Sequence, residues 1–212
     1  MAEDKTKAFD WYRKAAEQGH VIAQFNVGVC YDIGEGVPKN LAKAFKWYLK
    51  AAEQDHAKAQ YFVGVYYDNG WEVGEDKSKA FEWYSMAAAQ GDAKAQFTVG
   101  MCYGNGWGVP KNLAKAFKWY LKAAEQDYAE AQYKVGLAYD NGEEVLVNAS
   151  KAFEWYLRAA EQDHAEAQYK VGLDYDIGWG VDENPDEAFE WYRKAAEQGQ
   201  NLAKLSLKKF KK

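Results

Sequence analysis

Two amphipathic patterns alternate along the chain, and both have the spacing of an α-helix. In the first, Ala23, Val27 and Tyr31 recur every four residues and therefore share one face of a helix over about residues 21–33. We call this pattern helix A. The second pattern predicts helix B, over about residues 41–54. The apolar stripe of helix B consists of Ala44, Phe45, Tyr48, Ala51 and Ala52.

The two patterns belong to a 36-residue repeat that runs through the chain without insertion or deletion. The motif AFxWY begins at residues 8, 44, 80, 116, 152 and 188. Residues 38–55 and 110–127 are identical, which indicates duplication of a block of two repeats. A fixed period of this length is typical of helical arrays in which each unit packs mainly on its neighbours.

Each helix B follows a residue that can cap its first turn. Aspartate and asparagine oxygens accept hydrogen bonds from the free amides at a helix start. One of these two residue types stands at the same position in all six copies: Asp4, Asn40, Asp76, Asn112, Asn148 and Asn184. The other end of helix B carries residues suited to a left-handed or turn conformation: Gly19, Asp55, Gly91, Asp127, Asp163 and Gly199. Helix A is predicted to stop at Gly34, Gly70, Gly106, Gly142 and Gly178.

Small residues predict a close approach between helix A and helix B. Ala23 and Gly28 on helix A are expected to lie against Ala51 and Ala52 on helix B. No phosphate-binding motif surrounds the glycine. We therefore interpret it as a packing residue.

The repeat as a whole resembles a known family. Its pattern, A-Q-x-x-V-G-x-x-Y-x-x-G-x-G-V-P-K-N-x-x-K-A-F-x-W-Y-x-K-A-A-E-Q-G, is similar to the Sel1-like repeat, a relative of the tetratricopeptide repeat. The resemblance implies an all-α, right-handed superhelical solenoid that acts as a scaffold or adaptor. In the family's phase we expect one array: a leading capping helix (4–18), repeats at 20–55, 56–91, 92–127, 128–163 and 164–199, and a C-terminal capping helix (200–212).

Charge and hydropathy narrow the function further. The formal net charge is −5, although residues 201–212 contain five lysines, so the rest of the chain is more acidic still. This charge argues against a nucleic-acid surface. The chain lacks an apolar run that could insert in a bilayer, and its first residues lack the apolar core of a signal peptide. We expect a cytoplasmic protein that is a monomer and not an obligate oligomer, although a piece of a longer protein would look the same.

Catalytic and metal-binding motifs are absent from the sequence. His20, His56 and His164 share one repeat position that other repeats fill with unrelated residues, which suits a residue at a helix start and not a metal ligand. The few serines lie outside any G-x-S-x-G motif, and neither glycine-rich phosphate motif occurs. The sequence therefore predicts no catalytic residue, no metal and no cofactor.

One enzymatic alternative comes from the resemblance. Cysteine-rich bacterial proteins of the family have been linked to β-lactam binding or hydrolysis, and they carry a cysteine pair in every repeat. Here the cysteines are Cys30 and Cys102 alone, which disfavours that activity. The two occupy equivalent positions two repeats apart, too far for a disulfide between stacked helices, so we expect free thiols.

The candidate ligand surface is the second face of helix A, which the resemblance places on the concave side of a superhelix. Its aromatic series is Phe25, Tyr61, Phe97, Tyr133 and Tyr169, and its aliphatic series is Val29, Val65, Met101, Leu137 and Leu173. An acidic edge follows with Asp32, Asp68, Asp140 and Asp176, interrupted by Gly104. Two interpretations stay open for the apolar series: a groove for a partner, or packing between adjacent helices A. The aspartates fit either a binding rim or a solvated helix face.

Three tryptophans in the loop after helix A, Trp71, Trp107 and Trp179, stand where other repeats carry glutamate. They either fold back onto their own loops or form a contact patch. The sequence thus predicts a non-catalytic scaffold that binds a protein or peptide, with the aspartates favouring a basic partner. The other alternative is an engineered array, or one excised from a larger protein, without a function of its own.

Overall fold

The computed structural model describes residues 2–210, and within that range the fold is entirely helical, with twelve α-helices, a short C-terminal 3₁₀ helix (Leu207–Phe210) and no strand. The helices of type B are α1 (Ala2–Glu17), α3 (Leu41–Ala52), α5 (Lys77–Ala89), α7 (Leu113–Ala124), α9 (Ala149–Glu161) and α11 (Pro185–Glu197). Those of type A are α2 (Val21–Ile33), α4 (Ala57–Asn69), α6 (Ala93–Asn105), α8 (Ala129–Asn141), α10 (Ala165–Ile177) and α12 (Asn201–Ser206). The prediction of six helices of each type is confirmed for the described residues.

The chain forms two compact units that meet in sequence between Lys111 and Asn112. The first unit contains α1–α6 and the second contains α7–α12 with the 3₁₀ helix. Within each unit every helix packs on the helices that precede and follow it, as expected for a repeat array.

Five of the six predicted N-caps are confirmed. The side chains of Asn40, Asp76, Asn112, Asn148 and Asn184 each accept a hydrogen bond from the backbone N–H three residues later. The prediction for Asp4 is wrong, because α1 begins at Ala2 and Asp4 therefore lies inside the helix.

Removing one of these caps provides a test of the local account. In Asn112→Ala, the Lys115 N–H loses the acceptor that lies 2.8 Å away in the structure. We expect unfolding free energy to fall by about 1 kcal/mol, the usual cost of losing such a cap. Chemical denaturation monitored by circular dichroism measures it, and Asn112→Asp, which keeps an acceptor, serves as the control. Equal stability of the alanine variant and the wild type would contradict the assigned role.

The ends of helix B also behave as predicted. All six residues at this position have positive φ, and three of them are aspartates, Asp55, Asp127 and Asp163, with φ near 60°. Helix A ends at a left-handed glycine in each of the five loops, with φ between 68° and 78°. These turns bring the chain back against the preceding helix.

The close approach of helix A and helix B occurs, but against a different partner from the one predicted. A Cβ atom placed on Gly28 would lie 2.6 Å from the ring of Tyr48, the last residue of AFxWY. The same contact recurs between Gly64 and Tyr84, Gly136 and Tyr156, and Gly172 and Tyr192. The glycine therefore makes room for a buried tyrosine ring, and Ala51 and Ala52 are buried in the same core cluster as that ring.

Buried glutamines connect consecutive repeats within each unit. Gln60 donates from Nε2 to the Ala52 carbonyl over 3.2 Å, and its Oε1 accepts from Gln90 Nε2 at 2.7 Å. The equivalent pairs are Gln24 with Gln54, Gln132 with Gln162 and Gln168 with Gln198. Each pair lies within one repeat, whereas the bond from Gln60 to the Ala52 carbonyl joins its repeat to the preceding one. Because a buried amide without partners is costly, these bonds favour the observed packing of the helices.

The C-terminal segment is helical over a shorter range than the predicted capping helix. Helix α12 covers six residues and continues as the 3₁₀ helix to Phe210, and the last two residues of the predicted cap lie outside the described residues. Phe210 packs against Phe189 and Tyr192, with ring centroids 5.7 and 6.3 Å away. This contact covers the apolar end of the second unit.

Candidate functional site

A groove of about 610 Å³ opens on the helix A side of the first unit. It is lined by Asp32, Ile33, Lys39, Leu41, Tyr61, Phe62, Val65, Trp71 and Lys94. Four of these residues, Asp32, Tyr61, Val65 and Trp71, belong to the predicted ligand surface. The groove lies within the size range of ordinary ligand pockets, and most of its lining residues are apolar.

The aromatic base of the groove comes from a residue that the sequence analysis did not single out. The ring of Phe62 stacks on Tyr48 with centroids 5.0 Å apart, and its edge contacts Tyr61. It also lies 6.0 Å from Phe25. Phe62 thus joins the buried tyrosine of helix B to the aromatic series of helix A, and it is half-buried itself.

The predicted aromatic series is half-buried along its whole length. Four of its members pack as tilted ring pairs on the AFxWY tyrosine that follows, at centroid distances of 5.4–5.8 Å: Phe25 on Tyr48, Tyr61 on Tyr84, Tyr133 on Tyr156 and Tyr169 on Tyr192. Phe97 is half-buried at the equivalent position, and so is the aliphatic series of Val29, Val65, Met101, Leu137 and Leu173. Phe25 and Tyr133 also stack on His56 and His164, with ring centroids 4.8 Å apart, so these rings are packed within the protein and only partly accessible.

The aspartates of the predicted acidic edge form hydrogen bonds and ion pairs with other residues of the protein. Asp32 accepts hydrogen bonds from the hydroxyl groups of Tyr48 at 3.3 Å and Tyr66 at 3.1 Å. Burial, reinforced by this carboxylate, raises the pKa of both tyrosines well above the usual range. These hydroxyls therefore remain protonated donors, and Asp32 acts as their shared acceptor.

The other three aspartates each hold a lysine. Asp68 lies 3.0 Å from Lys77 Nζ, and Asp140 lies 3.0 Å from Lys170 Nζ. Asp176 pairs with Lys209 and accepts from the Tyr192 hydroxyl at 3.1 Å. The four aspartates thus hold side chains of neighbouring helices, and their part in binding a partner stays a prediction.

Asp140 is the most heavily engaged of the four. Its Oδ2 accepts from the Tyr156 hydroxyl at 3.1 Å and from Lys170 Nζ, and its Oδ1 accepts from Trp179 Nε1 at 2.9 Å. Three donors on one carboxylate leave little capacity for an external ligand. In the first unit the corresponding residues are Asp32, Phe62 and Trp71, so there a phenyl ring replaces the lysine.

The loop tryptophans differ in their surroundings. Trp71 packs edge-on against Tyr66, with centroids 5.6 Å apart, whereas Trp179 donates its indole N–H to Asp140. Trp107 is exposed to a similar extent as the other two. Trp71 alone among the three lines the groove of the first unit.

Two lysines at the groove are available for interaction. Lys39 and Lys94 are exposed, and neither forms an ion pair with any described residue. Lys94 Nζ lies over the Tyr61 ring, 5.0 Å from its centroid. The sequence pattern emphasised the aspartates, but the groove also carries two lysines without an ionic partner among the described residues.

The sequence analysis also did not identify a buried carboxylate in the second unit. Asp174 is 3% exposed, and its Oδ2 has no hydrogen-bond partner among the described residues. Burial raises its pKa to about 7; the Asp140 charge adds to this effect and Lys170 opposes it. The sequence did contain a clue to this buried carboxylate, because the other repeats carry residues without a carboxylate at the same position: Cys30, Tyr66, Cys102 and Ala138.

The remaining chemical groups have structural roles. His56 and His164 accept through Nδ1 from the amides of Ala59 and Ala167, which agrees with the predicted position at a helix start. Cys30 and Cys102 are buried free thiols, as predicted, and burial raises the pKa of Cys102 to about 11. Within residues 2–210, no three histidine, cysteine or acidic side chains gather as a metal site.

Comparison with known proteins identifies the repeat. The model of the family described as Sel1 repeat matches residues 1–20, 21–56, 57–92, 93–128, 129–164 and 165–200. This chain belongs to the Sel1 repeat family. The Sel1 repeat fold is generally a protein-interaction scaffold. Among the helices of residues 2–210, none has the length and apolar character needed to cross a membrane.

Two solved Sel1 repeat structures are close in fold. The protective antigen c5321 of uropathogenic Escherichia coli is 36% identical with a TM-score of 0.90, over 95% of this chain and 43% of that one. A Sel1 repeat protein from Oxalobacter formigenes is 35% identical with a TM-score of 0.87, over 97% of this chain and 82% of that one. The DAP3-binding cell death enhancer 1 of Rattus norvegicus is 46% identical over 39 residues, which are 18% of this chain and 8% of the relative. This chain thus spans less than half of c5321 and a small part of the rat protein.

Proposed function

We propose that this Sel1 repeat chain is a non-catalytic scaffold that binds a protein or peptide partner on the helix A face. The observation that carries the proposal is the groove of the first unit, where aromatic and aliphatic side chains line an open space of about 610 Å³. Half-buried rings held from behind by the core are rigid contact surfaces, and their burial on binding has a low entropic cost. The general role of the family supports the same function.

The predicted preference for a basic partner loses its main support. It depended on free aspartates along the rim, and Asp68, Asp140 and Asp176 are each paired with a lysine of the protein. Asp32 is the acceptor of two tyrosine hydroxyls. We therefore propose that apolar contact supplies most of the binding free energy, and that the aspartates act chiefly on stability.

A selection experiment tests the proposed function. Random 12-residue peptides displayed on phage are selected on the full chain, and the enriched peptides are measured by fluorescence anisotropy. Val65→Arg, which introduces a charge in the groove, is expected to reduce their affinity at least tenfold. The control is Leu173→Arg, which introduces the same charge at the position of the second unit that corresponds to Val65, and it should leave binding within twofold. Failure to enrich any peptide, or equal binding by Val65→Arg, would overturn the proposal.

A further inference from the structure

We infer that the groove of the first unit takes an acidic segment of a partner protein, in which bulky apolar side chains are flanked by aspartate or glutamate. This inference rests on the proposed function and adds the chemistry of the partner. It reverses the charge preference expected from the sequence pattern. That pattern emphasised the aspartates, whereas Lys39 and Lys94 at the groove are positively charged and have no ionic partner among the described residues.

The charge of the groove follows from its three charged lining groups, which are Asp32, Lys39 and Lys94. The hydroxyls of Tyr48 and Tyr66 are neutral and occupy the Asp32 oxygens without cancelling the carboxylate charge. Lys39 and Lys94 lack ionic partners among the described residues, so the two ammonium groups outnumber the single carboxylate. A partner carboxylate near either ammonium gains a charge-assisted contact, while a partner lysine meets two like charges and one carboxylate whose oxygens already accept two hydrogen bonds. The groove therefore discriminates in favour of acidic segments.

A neutral donor reinforces this preference. The Trp71 side chain is 43% exposed, and its indole N–H has no acceptor among residues 2–210. Its counterpart Trp179 donates to Asp140. The donor at Trp71 is thus free for a carboxylate of the partner, beside the apolar wall formed by Val65 and Leu41.

In the second unit, a lysine occupies the position that corresponds to the base of this groove. There Lys170 stands where the first unit has Phe62, and its ammonium lies 5.6 Å from the centroid of the Tyr156 ring while it pairs with Asp140. The positions of the second unit that correspond to Lys39 and Lys94 hold Val147 and Leu202. The apolar base and the free positive charge therefore distinguish the groove of the first unit from its counterpart.

Three fluorescein-labelled decapeptides test the inference on the full chain. All three carry the same central Leu and Phe, and the flanking residues are glutamate, glutamine or lysine. We expect the glutamate peptide to bind at least ten times more tightly than the lysine peptide in physiological salt, as measured by fluorescence anisotropy. Equal or tighter binding of the lysine peptide would overturn the inference.

Matched charge reversals locate the effect. The double variant Lys39→Glu, Lys94→Glu should lose at least tenfold in affinity for the glutamate peptide. The double variant Lys58→Glu, Lys111→Glu changes the net charge equally, at the same two repeat positions but outside the groove lining, and should bind within twofold of wild type. Equal losses in both variants would mean that overall charge, and not the groove, governs binding, and would also overturn the inference.

The apolar base has its own variant. Phe62→Lys imitates the second unit, where lysine fits the same position beside a tyrosine and an aspartate, so the fold should tolerate it. We expect all three peptides to lose binding while the thermal melt stays close to wild type. If none of the three designed peptides binds the wild-type chain, the inference is refuted. The proposed function would still be supported if selected peptides of other composition bind the wild-type chain and lose affinity in Val65→Arg.

Discussion

Asp174→Ala should make the protein more stable at pH 8, by about 2–4 kcal/mol. The Asp174 carboxyl is 3% exposed and Oδ2 lacks a hydrogen-bond partner, so ionisation there is opposed by loss of hydration. Its pKa is raised to about 7, whereas an ordinary aspartate titrates near pH 4. Each unit of displacement corresponds to about 1.4 kcal/mol between the two protonation states. Alanine already occupies the equivalent position at Ala138 and is buried there.

The sign of the pH dependence follows from the raised pKa. Between about pH 4 and pH 7 the folded protein binds a proton at Asp174 that the unfolded chain has released, so stability decreases as pH rises through this window. Above pH 7 the penalty is fully present, and below pH 4 it is absent. The gain from Asp174→Ala should therefore be large at pH 8 and small at pH 5.

Thermal and urea unfolding at both pH values measure this difference. Asp182→Ala removes an exposed aspartate in the following loop and is the control, with an expected change below about 0.5 kcal/mol at either pH. A gain from Asp174→Ala that is equal at pH 5 and pH 8 would point to packing and would contradict the electrostatic account.

Gly108→Ala should destabilise the protein by about 3–5 kcal/mol, enough to abolish much of the stability of a small repeat unit. Gly108 has φ of 67°, and a Cβ atom there would lie 1.9 Å from the carbonyl oxygen of Lys77. That carbonyl belongs to the first turn of α5, which is held in place by the Asp76 cap. The clash is with backbone, so relief requires a shift of the loop or the helix start.

A neighbouring repeat provides the matched control. Glu72 stands at the same position one repeat earlier and has φ of 59° with a full side chain. Glu72→Gly removes the strain of that conformation but adds freedom to the unfolded chain, so a net change within about 1 kcal/mol is expected. Urea denaturation compares the two variants. A Gly108→Ala protein as stable as wild type would show that the loop and helix start can separate without cost.

Local features of the fold were predictable because they depend on residues close in sequence. The helix pattern places α2 and α4 within their repeats, and the caps at Asn40 and Asn112 follow from the side-chain chemistry of a first helical turn. The same logic failed at Asp4, because α1 begins at Ala2 and Asp4 lies inside the helix.

The roles of several polar residues could not be predicted, since their partners come from other helices. Asp32 lies on the predicted face, but only the crossing of α2, α3 and α4 brings the Tyr48 and Tyr66 hydroxyls within 3.3 Å of it. Gln60 and Gln90 look like surface glutamines in sequence, and packing brings them to 2.7 Å from each other. Spacing along one helix cannot reveal such pairs.

The sequence by itself determined the period, the helices, the caps and the all-α repeat fold, because each is a local or periodic property of the chain. Only the tertiary structure decided which charges remain free. Two repeats that share nearly every marker differ at one position, which is Phe62 in the first unit and Lys170 in the second. Phe62 lines an apolar groove, whereas Lys170 forms an ion pair with Asp140. The reason is physical: hydrogen bonds and ion pairs act over a few ångströms, and those distances are set by how helices from successive repeats pack.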